Sequence, residues 1–258
     1  MAAVPLDDRG LLLGDGLFET LLWKNGALML VGAHWARMAA GATALGLPPP
    51  SEAAFLEVAT AAVQAADCVG ERAAVRVTLT AGSGGRGLER PAALAPRLFA
   101  TAAPSQPPAG PASLVVASPR RNEASPLSRL KTLAYLDNVL ARREARAAGA
   151  DEAVMLNSRG ELACAAAANL FWIDEGALCT AAPETGCLPG IMAAQLRAAA
   201  IGLGVEVREV REPTAALERA EAIFLTSSLV GARPAHLVGR QSSPHRLVEA
   251  LGRAADAL

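Results

Sequence analysis

The stretch Ser128-Arg-Leu-Lys-Thr-Leu-Ala-Tyr-Leu-Asp-Asn-Val-Leu-Ala-Arg-Arg143 contains Lys131, one of only two lysines in the chain. The other is Lys24, and arginine supplies the remaining fixed positive charge. A lysine beside Leu130 and Leu133 is partly removed from water, and desolvation favours its neutral amine. A neutral amine adds to carbonyl groups, as formation of a Schiff base requires. The structural alternative is that Lys131 lies at the start of a helix and extends its amine into solvent.

The charge balance and hydropathy exclude several classes of partner. With a formal net charge of -1, the 258-residue chain has no basic excess with which to bind nucleic acid or an anionic membrane. It contains no apolar run long enough to span a bilayer, and its first residues lack the pattern of a secretory signal. We therefore expect a cytoplasmic protein whose length allows two domains.

The cysteines and histidines do not indicate a metal site. Cys68, Cys164, Cys179 and Cys187 form no C-x-x-C pair, and the three histidines are scattered along the chain. A zinc site or a disulfide framework is therefore not expected, and reduced, mostly buried thiols are the expected state.

The first half of the chain has clear signals for strands and helices. Asn25-Gly26 between two apolar runs predicts a β-hairpin, and Ser51 is a favourable helix N-cap. The elements predicted from apolar periodicity are strands over 17–23, 27–30, 72–80 and 97–101 and helices over 32–45 and 52–67.

A proline-rich stretch separates the two halves. Residues 103–112 contain four prolines, which predict an extended linker without regular structure. We expect an N-terminal domain over 1–102 and a C-terminal domain over 113–258 that carries Lys131.

Strands and helices alternate without a strict βαβ repeat in the second half. This pattern predicts an α+β fold with largely antiparallel sheets in both domains. The predicted strands are 114–118, 152–156, 170–173, 205–210 and 222–226, and the predicted helices end at Gly149, span 189–203 and begin at Pro244.

The order of short motifs is more specific than any one of them. The first half carries Gly14-Asp-Gly-Leu-Phe-Glu-Thr20, His34-x-x-Arg37 and Gly82-Ser-Gly-Gly-Arg-Gly87; the second carries Lys131, Ala168-Asn-Leu-Phe-Trp172, Leu188-Pro-Gly-Ile-Met192 and Phe224-Leu-Thr-Ser-Ser228. In this order they resemble the class IV family of pyridoxal-phosphate (PLP) enzymes of fold type IV. That family includes branched-chain and D-amino-acid aminotransferases and 4-amino-4-deoxychorismate lyase, and the resemblance is nearest to the lyase.

The resemblance implies roles for individual residues. Lys131 would form a Schiff base with PLP and then act as the acid and base at the substrate Cα. The cofactor phosphate would be bound by the Arg37 guanidinium, by the backbone amides of Ile191 and Met192 at a helix N-terminus, and by the hydroxyls of Ser227 and Ser228.

Three further side chains are candidates for contact with the substrate. They are Thr20, Arg86 in the glycine-rich run, and Arg233, which precedes Pro234. The resemblance also implies a homodimer with the active site near its interface.

Structural alternatives remain open for these residues. Arg37 could be a surface residue of a helix, and Thr226-Ser-Ser could be the polar end of a strand. The glycine-rich run has no following Lys-Ser or Lys-Thr and is not a P-loop, so by itself it indicates a mobile loop. Tyr135 follows Lys131 at the spacing of one helical turn, and it could lie near the amine or pack against the helix.

Two positions depart from the family pattern. The family has a glutamate four residues after the turn glycine, paired with the pyridine nitrogen of PLP; counting from Gly160, this position is Cys164. A thiol is a weak donor and acceptor and is a poor substitute for that carboxylate. Ala193 stands where many relatives have an arginine. These departures leave three hypotheses: a lyase that makes 4-aminobenzoate and pyruvate, an aminotransferase, and a catalytically weakened PLP-binding protein.

Overall fold

A computed structural model describes residues 4–70, 72–242 and 244–257, and these form two compact units. The first unit comprises the residues up to Gln106 together with Leu130–Ala134, and the second comprises Pro107–Arg129 and the residues from Tyr135 onward. Lys131 therefore belongs by its contacts to the first unit, in contrast to the expectation from chain order.

The first unit contains a small antiparallel sheet. The sheet has the strand order β2–β1–β3–β4, and the predicted hairpin at Asn25-Gly26 joins β1 to β2. The predicted N-cap is also confirmed, because the Ser51 hydroxyl accepts a hydrogen bond from the amide of Ala54. In the described part of this unit the elements are α1 (Arg9–Leu13), β1 (Gly16–Lys24), β2 (Ala27–Leu28), α2 (Val31–Ala44), α3 (Glu52–Ala65), β3 (Ala73–Thr80) and β4 (Arg97–Pro104).

The expected linker begins later than its prolines suggest. Strand β4 continues to Pro104, which lies opposite Ala73 in the sheet. The expectation that regular structure is absent over 103–112 is therefore wrong at both ends, since the next strand starts at Ala112. Proline is compatible with β4 because this strand lies at the edge of the sheet, where a missing N–H breaks no ladder.

One face of the first sheet is covered by α2 and α3. Side chains alternate along β1, so Leu17, Leu21 and Trp23 point to the same side and pack against buried residues of the helices, including Met38 and Phe55. Glu19 lies on this same buried face, because it occupies the position between Leu17 and Leu21.

The second unit is built on a larger sheet with the strand order β10–β9–β8–β11–β12–β5–β6–β7. Its elements, within the residues that the structure describes, are β5 (Ala112–Val116), α4 (Leu136–Ala147), β6 (Glu152–Leu156), β7 (Leu162–Ala165), β8 (Asn169–Asp174), β9 (Ala177–Ala181), α5 (Ile191–Gly202), β10 (Val207–Val210), α6 (Ala215–Arg219), β11 (Ala222–Ser227), β12 (Gly231–Leu237) and α7 (Arg246–Asp256), with short 3-10 turns at Pro126–Arg129 and Pro183–Thr185.

The α+β prediction is confirmed, and the larger sheet is mixed rather than purely antiparallel. Among the described strands, β5 pairs in parallel with both β6 and β12, and β9 pairs in parallel with β10. The helices α4 and α5 connect β5 to β6 and β9 to β10, and a helical crossover of this kind is the connection that parallel neighbours require.

Phe171 of β8 and Phe224 of β11 stack in the core of the second unit. Their ring centroids lie 5.2 Å apart, and both side chains are fully buried. The two residues are direct partners across the antiparallel ladder, so the stack couples two neighbouring interior strands of the sheet.

We predict that Phe171→Ala lowers the free energy of unfolding by about 3–5 kcal/mol, because it removes a buried ring and leaves a cavity against Phe224. Urea unfolding followed by circular dichroism measures the change. Leu136→Ala is the control, since Leu136 is 68% exposed and should change stability little. Equal losses in both variants would contradict the assignment of the stack to the core.

Candidate active site

A buried cluster of charged residues connects β1 to α2. Glu19 points from β1 toward α2, and His34 and Arg37, three residues apart, share one face of that helix. The Arg37 Nε donates to Glu19 Oε1 at 2.7 Å, and Arg37 Nη2 donates to Oε2 at 2.6 Å. The His34 Nδ1 lies 2.7 Å from the same Oε2. One carboxylate therefore binds both side chains of the His-x-x-Arg motif.

The ionisation of the cluster follows from burial and pairing. Glu19 and His34 are each 1% exposed. Burial opposes ionisation of Glu19, but hydrogen bonds from His34 and Arg37 outweigh it and lower the pKa of this carboxyl. Burial lowers the pKa of His34, and the positive charges of Arg37 and Lys131 act in the same direction against the opposing effect of Glu19. At neutral pH the cluster therefore contains a carboxylate, a neutral imidazole and a guanidinium.

Lys131 lies in an extended segment beside β1. The Phe18 amide donates to the Lys131 carbonyl at 2.9 Å, the Leu133 amide donates to the Gly16 carbonyl at 3.0 Å, and Thr132 forms a bridge with Leu17. The segment thus pairs with the edge of β1 that β2 leaves uncovered. This placement fixes the backbone of Lys131 to the first sheet.

The helical alternative for Lys131 is therefore wrong. Helix α4 begins only at Leu136, with Tyr135 as its N-cap residue. Lys131 lies before the helix, so the spacing of four residues does not place Tyr135 and Lys131 on one helix face.

On the face of β1 opposite Glu19, the Phe18 ring contacts both Lys131 and Arg76. Lys131 Nζ lies 4.3 Å and Arg76 Cζ lies 3.7 Å from the ring centroid, distances typical of cation–π contacts. Thr20 follows on this face and is the direct partner of Arg76 across the ladder with β3. The sequence analysis did not identify Phe18, Glu19 or Arg76 as site residues.

A signal for Arg76 was present in the sequence. It interrupts the apolar alternation of Ala73–Thr80 with a charge at a position whose side chain points away from the core. Glu19 carried a similar signal, as a carboxylate between two leucine positions on the apolar face of a strand.

The glycine-rich run is flanked by hydrogen bonds to Arg9, and its mobility stays a prediction. The Arg9 guanidinium donates to the carbonyls of Glu89 at 2.9 Å and Leu88 at 3.1 Å, and its Nε donates to Asp15. Its backbone amide also donates to the Gly82 carbonyl. Arg86 lies within this run and is exposed.

In the second unit, the N-terminus of α5 forms a tight backbone turn. Gly190 is the N-cap residue, and no side chain caps the helix. The Asn169 side chain donates to the Leu188 carbonyl at 2.8 Å, and a Cβ on Gly190 would lie only 1.9 Å from Asn169 Oδ1. Glycine is therefore required here, and the first amides of the helix, those of Ile191 and Met192, have no acceptor within it.

Hydroxyl groups lie at the end of β11. Thr226 is fully buried, and within the described residues its Oγ1 has no hydrogen-bond partner. It pairs with Asn169 across the ladder, so the two side chains lie on the same face of the sheet, the face on which α5 packs. Ser227 and Ser228 follow directly. Helix N-terminal amides together with hydroxyl donors fit a phosphate group, as the resemblance to PLP enzymes implies.

Cys164 lies in a buried strand among small apolar residues. Burial raises the pKa of its thiol to about 11, against the opposing effect of the positive charge of Arg121. The thiol therefore remains neutral at physiological pH and cannot supply the charge of a carboxylate. Glu161 does not replace it, since hydrogen bonds from Arg211 and Asn157 hold the Glu161 carboxylate.

Arg233 has a structural partner in the second unit. Its Nε donates to the Gly110 carbonyl at 3.0 Å, and Nη2 lies 3.9 Å from Asp151. A role of Arg233 in substrate binding remains a prediction. The hydrogen bond to Gly110, just before β5, is a structural alternative to that role.

Comparison with known proteins identifies the family. The model of amino-transferase class IV matches residues 16–238, so the chain belongs to this family of enzymes. A candidate branched-chain-amino-acid aminotransferase of Methanocaldococcus jannaschii is 29% identical over 88% of this chain and 80% of its own. An aminodeoxychorismate lyase of Bacillus subtilis is 27% identical over 86% of this chain and 77% of its own.

A solved structure has the same fold throughout. It is that of a candidate 4-amino-4-deoxychorismate lyase from Legionella pneumophila, with a TM-score of 0.91 and 29% identity over 100% of this chain and 96% of that one.

The described residues contain no helix with the length and apolar character of a bilayer span. Within the same ranges, no group of three His, Cys, Asp or Glu side chains is arranged to hold a metal ion.

We predict that the stability of the protein falls as the pH drops below about 6.5, the ordinary pKa of histidine, because unfolded His34 gains a proton that the folded state excludes. His34→Gln removes this proton uptake. The free energy of unfolding of the variant should therefore change less with pH between the pKa values of folded and unfolded His34. Urea unfolding at closely spaced pH values measures it. An unchanged slope in His34→Gln would contradict the assignment.

Proposed function

We propose that the protein is a lyase that converts 4-amino-4-deoxychorismate to 4-aminobenzoate and pyruvate, a step that supplies a folate precursor. The observation that carries the proposal is the setting of Lys131, whose amine lies over the Phe18 ring, which Arg76 also contacts. Similarity to aminodeoxychorismate lyases over most of the chain supports the substrate class.

The protein is a PLP-dependent enzyme of the class IV family. When bound, PLP supplies an aldehyde for amines and a ring that withdraws electrons from the substrate Cα. We propose that the Arg37 guanidinium binds the cofactor phosphate. The phosphate-binding roles that the family resemblance implies for the amides of Ile191 and Met192 and the hydroxyls of Ser227 and Ser228 stay predictions.

In this proposal Lys131 removes the proton at the substrate Cα and returns a proton during product formation. Thr20 and Arg76 lie on the same sheet face as the Phe18 ring, so Arg76 is a suitable cation for a substrate carboxylate. Arg86 and Arg233 remain weaker candidates for that contact.

The neutral Cys164 thiol favours elimination over transamination. Loss of pyruvate leaves an aromatic ring, so product formation is favourable by itself and depends less on electron withdrawal by the cofactor. Transamination lacks this driving force and depends more on a protonated pyridine nitrogen, which a carboxylate would stabilise. We therefore propose that Cys164 is compatible with a lyase and suppresses transamination.

The second candidate is an aminotransferase for branched-chain or D-amino acids, and the similarity to the archaeal aminotransferase favours it. This activity requires a keto-acid acceptor. A third candidate is a catalytically weakened PLP-binding homologue, supported by the absence of a carboxylate at position 164.

We also propose a cytoplasmic homodimer. The helix α1 presents Leu11 and Leu12, which are 60% and 63% exposed. Apolar side chains of this size are suited to burial against a second copy.

We predict that the protein with PLP and no keto acid releases pyruvate and 4-aminobenzoate in equal amounts from 4-amino-4-deoxychorismate. Lys131→Ala should slow both by more than about 10³-fold, because it removes the acid and base. Lys24→Ala, which changes the only other lysine, is the matched control and should retain activity. A cofactor absorption band without either product would reject the lyase and favour the aminotransferase.

We predict that Cys164→Glu raises transamination of amino acids relative to lyase activity, because a carboxylate would favour a protonated pyridine nitrogen. The two rates are measured on the same preparation, with Cys164→Ala and Cys179→Ala as controls for loss of a buried thiol. A parallel rise in both activities would show that Cys164 does not discriminate between them.

A further inference from the structure

The Glu19 carboxylate contacts no group that the proposed reaction transforms, although it is buried in the apolar core of the first unit. Burial of an ion pair costs desolvation energy, and apolar packing of similar volume is often at least as stable. Leu17 and Leu21, its neighbours on the same face of β1, show that leucine packs well there. The carboxylate therefore calls for an explanation other than stability.

The geometry of the pair restricts the orientation of Arg37. Its guanidinium is planar, and Nε and Nη2 both donate to Glu19, so the edge of the group that carries Nη1 points away from the carboxylate. A bidentate contact fixes both the position and the plane of the group. A single hydrogen bond would leave the guanidinium free to rotate.

His34 also contacts the Glu19 carboxylate. Its Nδ1 contacts Oε2, the oxygen that also accepts from Arg37 Nη2. Because burial keeps the imidazole neutral, Nδ1 carries a proton and donates it to the carboxylate. Glu19 is thus held by α2 at two points one helical turn apart, and its own backbone is fixed in β1.

We propose that Glu19 is a positioning residue that orients Arg37 for the phosphate of the cofactor. This inference rests on the proposed function, which assigns Arg37 to that phosphate. A guanidinium has five N–H donors, more than one carboxylate can accept, so a residue that occupies one edge can direct the other edge toward a second anion. The benefit is pre-organisation, since binding then costs little loss of side-chain freedom.

Glu19→Gln is a sharp test because it preserves the shape of the side chain while it removes the charge and replaces one acceptor oxygen by a donor. The amide has one oxygen, whereas both carboxylate oxygens accept from Arg37. In either rotamer the NH₂ group faces an N–H of Arg37, and two donors cannot bond. The guanidinium must then leave its present position.

The measurement is the equilibrium affinity for PLP and for pyridoxal, which lacks the phosphate, followed by quenching of tryptophan fluorescence. We expect Glu19→Gln to weaken PLP binding by about tenfold, the size expected for one displaced charge-assisted hydrogen bond, and to leave pyridoxal binding nearly unchanged. Inorganic phosphate should also protect the variant less against thermal unfolding than it protects the wild type.

Two further variants separate this role from general destabilisation. Asp15→Asn is the matched control, because Asp15 makes a similar two-point contact with Arg90 in the same unit. The ratio of PLP affinity to pyridoxal affinity (the PLP-to-pyridoxal ratio) of this variant should match that of the wild type. Glu19→Asp keeps the charge but shortens the reach, so it should reduce the ratio even if the glutamine variant does not fold.

Arg37→Met distinguishes the two ways in which the inference can fail. If Arg37→Met lowers the PLP-to-pyridoxal ratio while Glu19→Gln and Glu19→Asp do not, Arg37 binds the phosphate without help from Glu19 and the positioning role is wrong. If Arg37→Met leaves the ratio unchanged, the phosphate assignment itself is wrong. Equal weakening of PLP and pyridoxal by Glu19→Gln would reduce Glu19 to a structural residue.

Discussion

The burial of one carboxylate organises the first unit. A buried ionised group is tolerated only when hydrogen bonds and opposite charge replace the water that it loses. Glu19 obtains these from His34 and Arg37, and the requirement fixes the rotation of α2 against β1. The same strand presents Phe18 on its other face, where the Lys131 amine lies. Alternation along β1 thus places the Glu19–His34–Arg37 cluster on one face of the strand and the Lys131 amine on the other.

In the second unit the candidate hydrogen-bond donors are backbone amides and hydroxyls, whereas in the first unit they are charged side chains. The first amides of α5 have no acceptor within the helix, and Ser227 and Ser228 carry hydroxyls at the end of β11; neither kind of donor changes its charge with pH. The absence of a side chain on Gly190 allows Asn169 to approach the turn and hold the Leu188 carbonyl. Small residues therefore determine the arrangement of these hydrogen-bond donors. For this reason the donors are hard to recognise from the sequence.

Local signals in the sequence were sufficient for much of the fold. The Asn25-Gly26 hairpin, the Ser51 cap and the α+β class depend on short-range chemistry, and the structure agrees with each. The failures involve long-range pairing: the parallel neighbours of β5 and the extension of β4 to Pro104 depend on which strand lies alongside. Lys131 was selected by its rarity, but its pairing with β1 has no local signature. Phe18, Glu19 and Arg76 were missed because their importance comes from the partners that the fold brings to them.

The pairing of Lys131 has a consequence for synthesis of the chain. Near its start, β1 has β3 on one side, and among the described residues the segment Lys131–Leu133 pairs with its other side, since β2 reaches no further than Trp23 and Lys24. An uncovered strand edge invites association with other chains. As the polypeptide leaves the ribosome, the first 106 residues can form their helices and most of their sheet, but this edge closes only after residue 133 has emerged. The lysine segment is therefore the last part of the first unit to be synthesised, and until it pairs with β1 this strand edge is open to other chains.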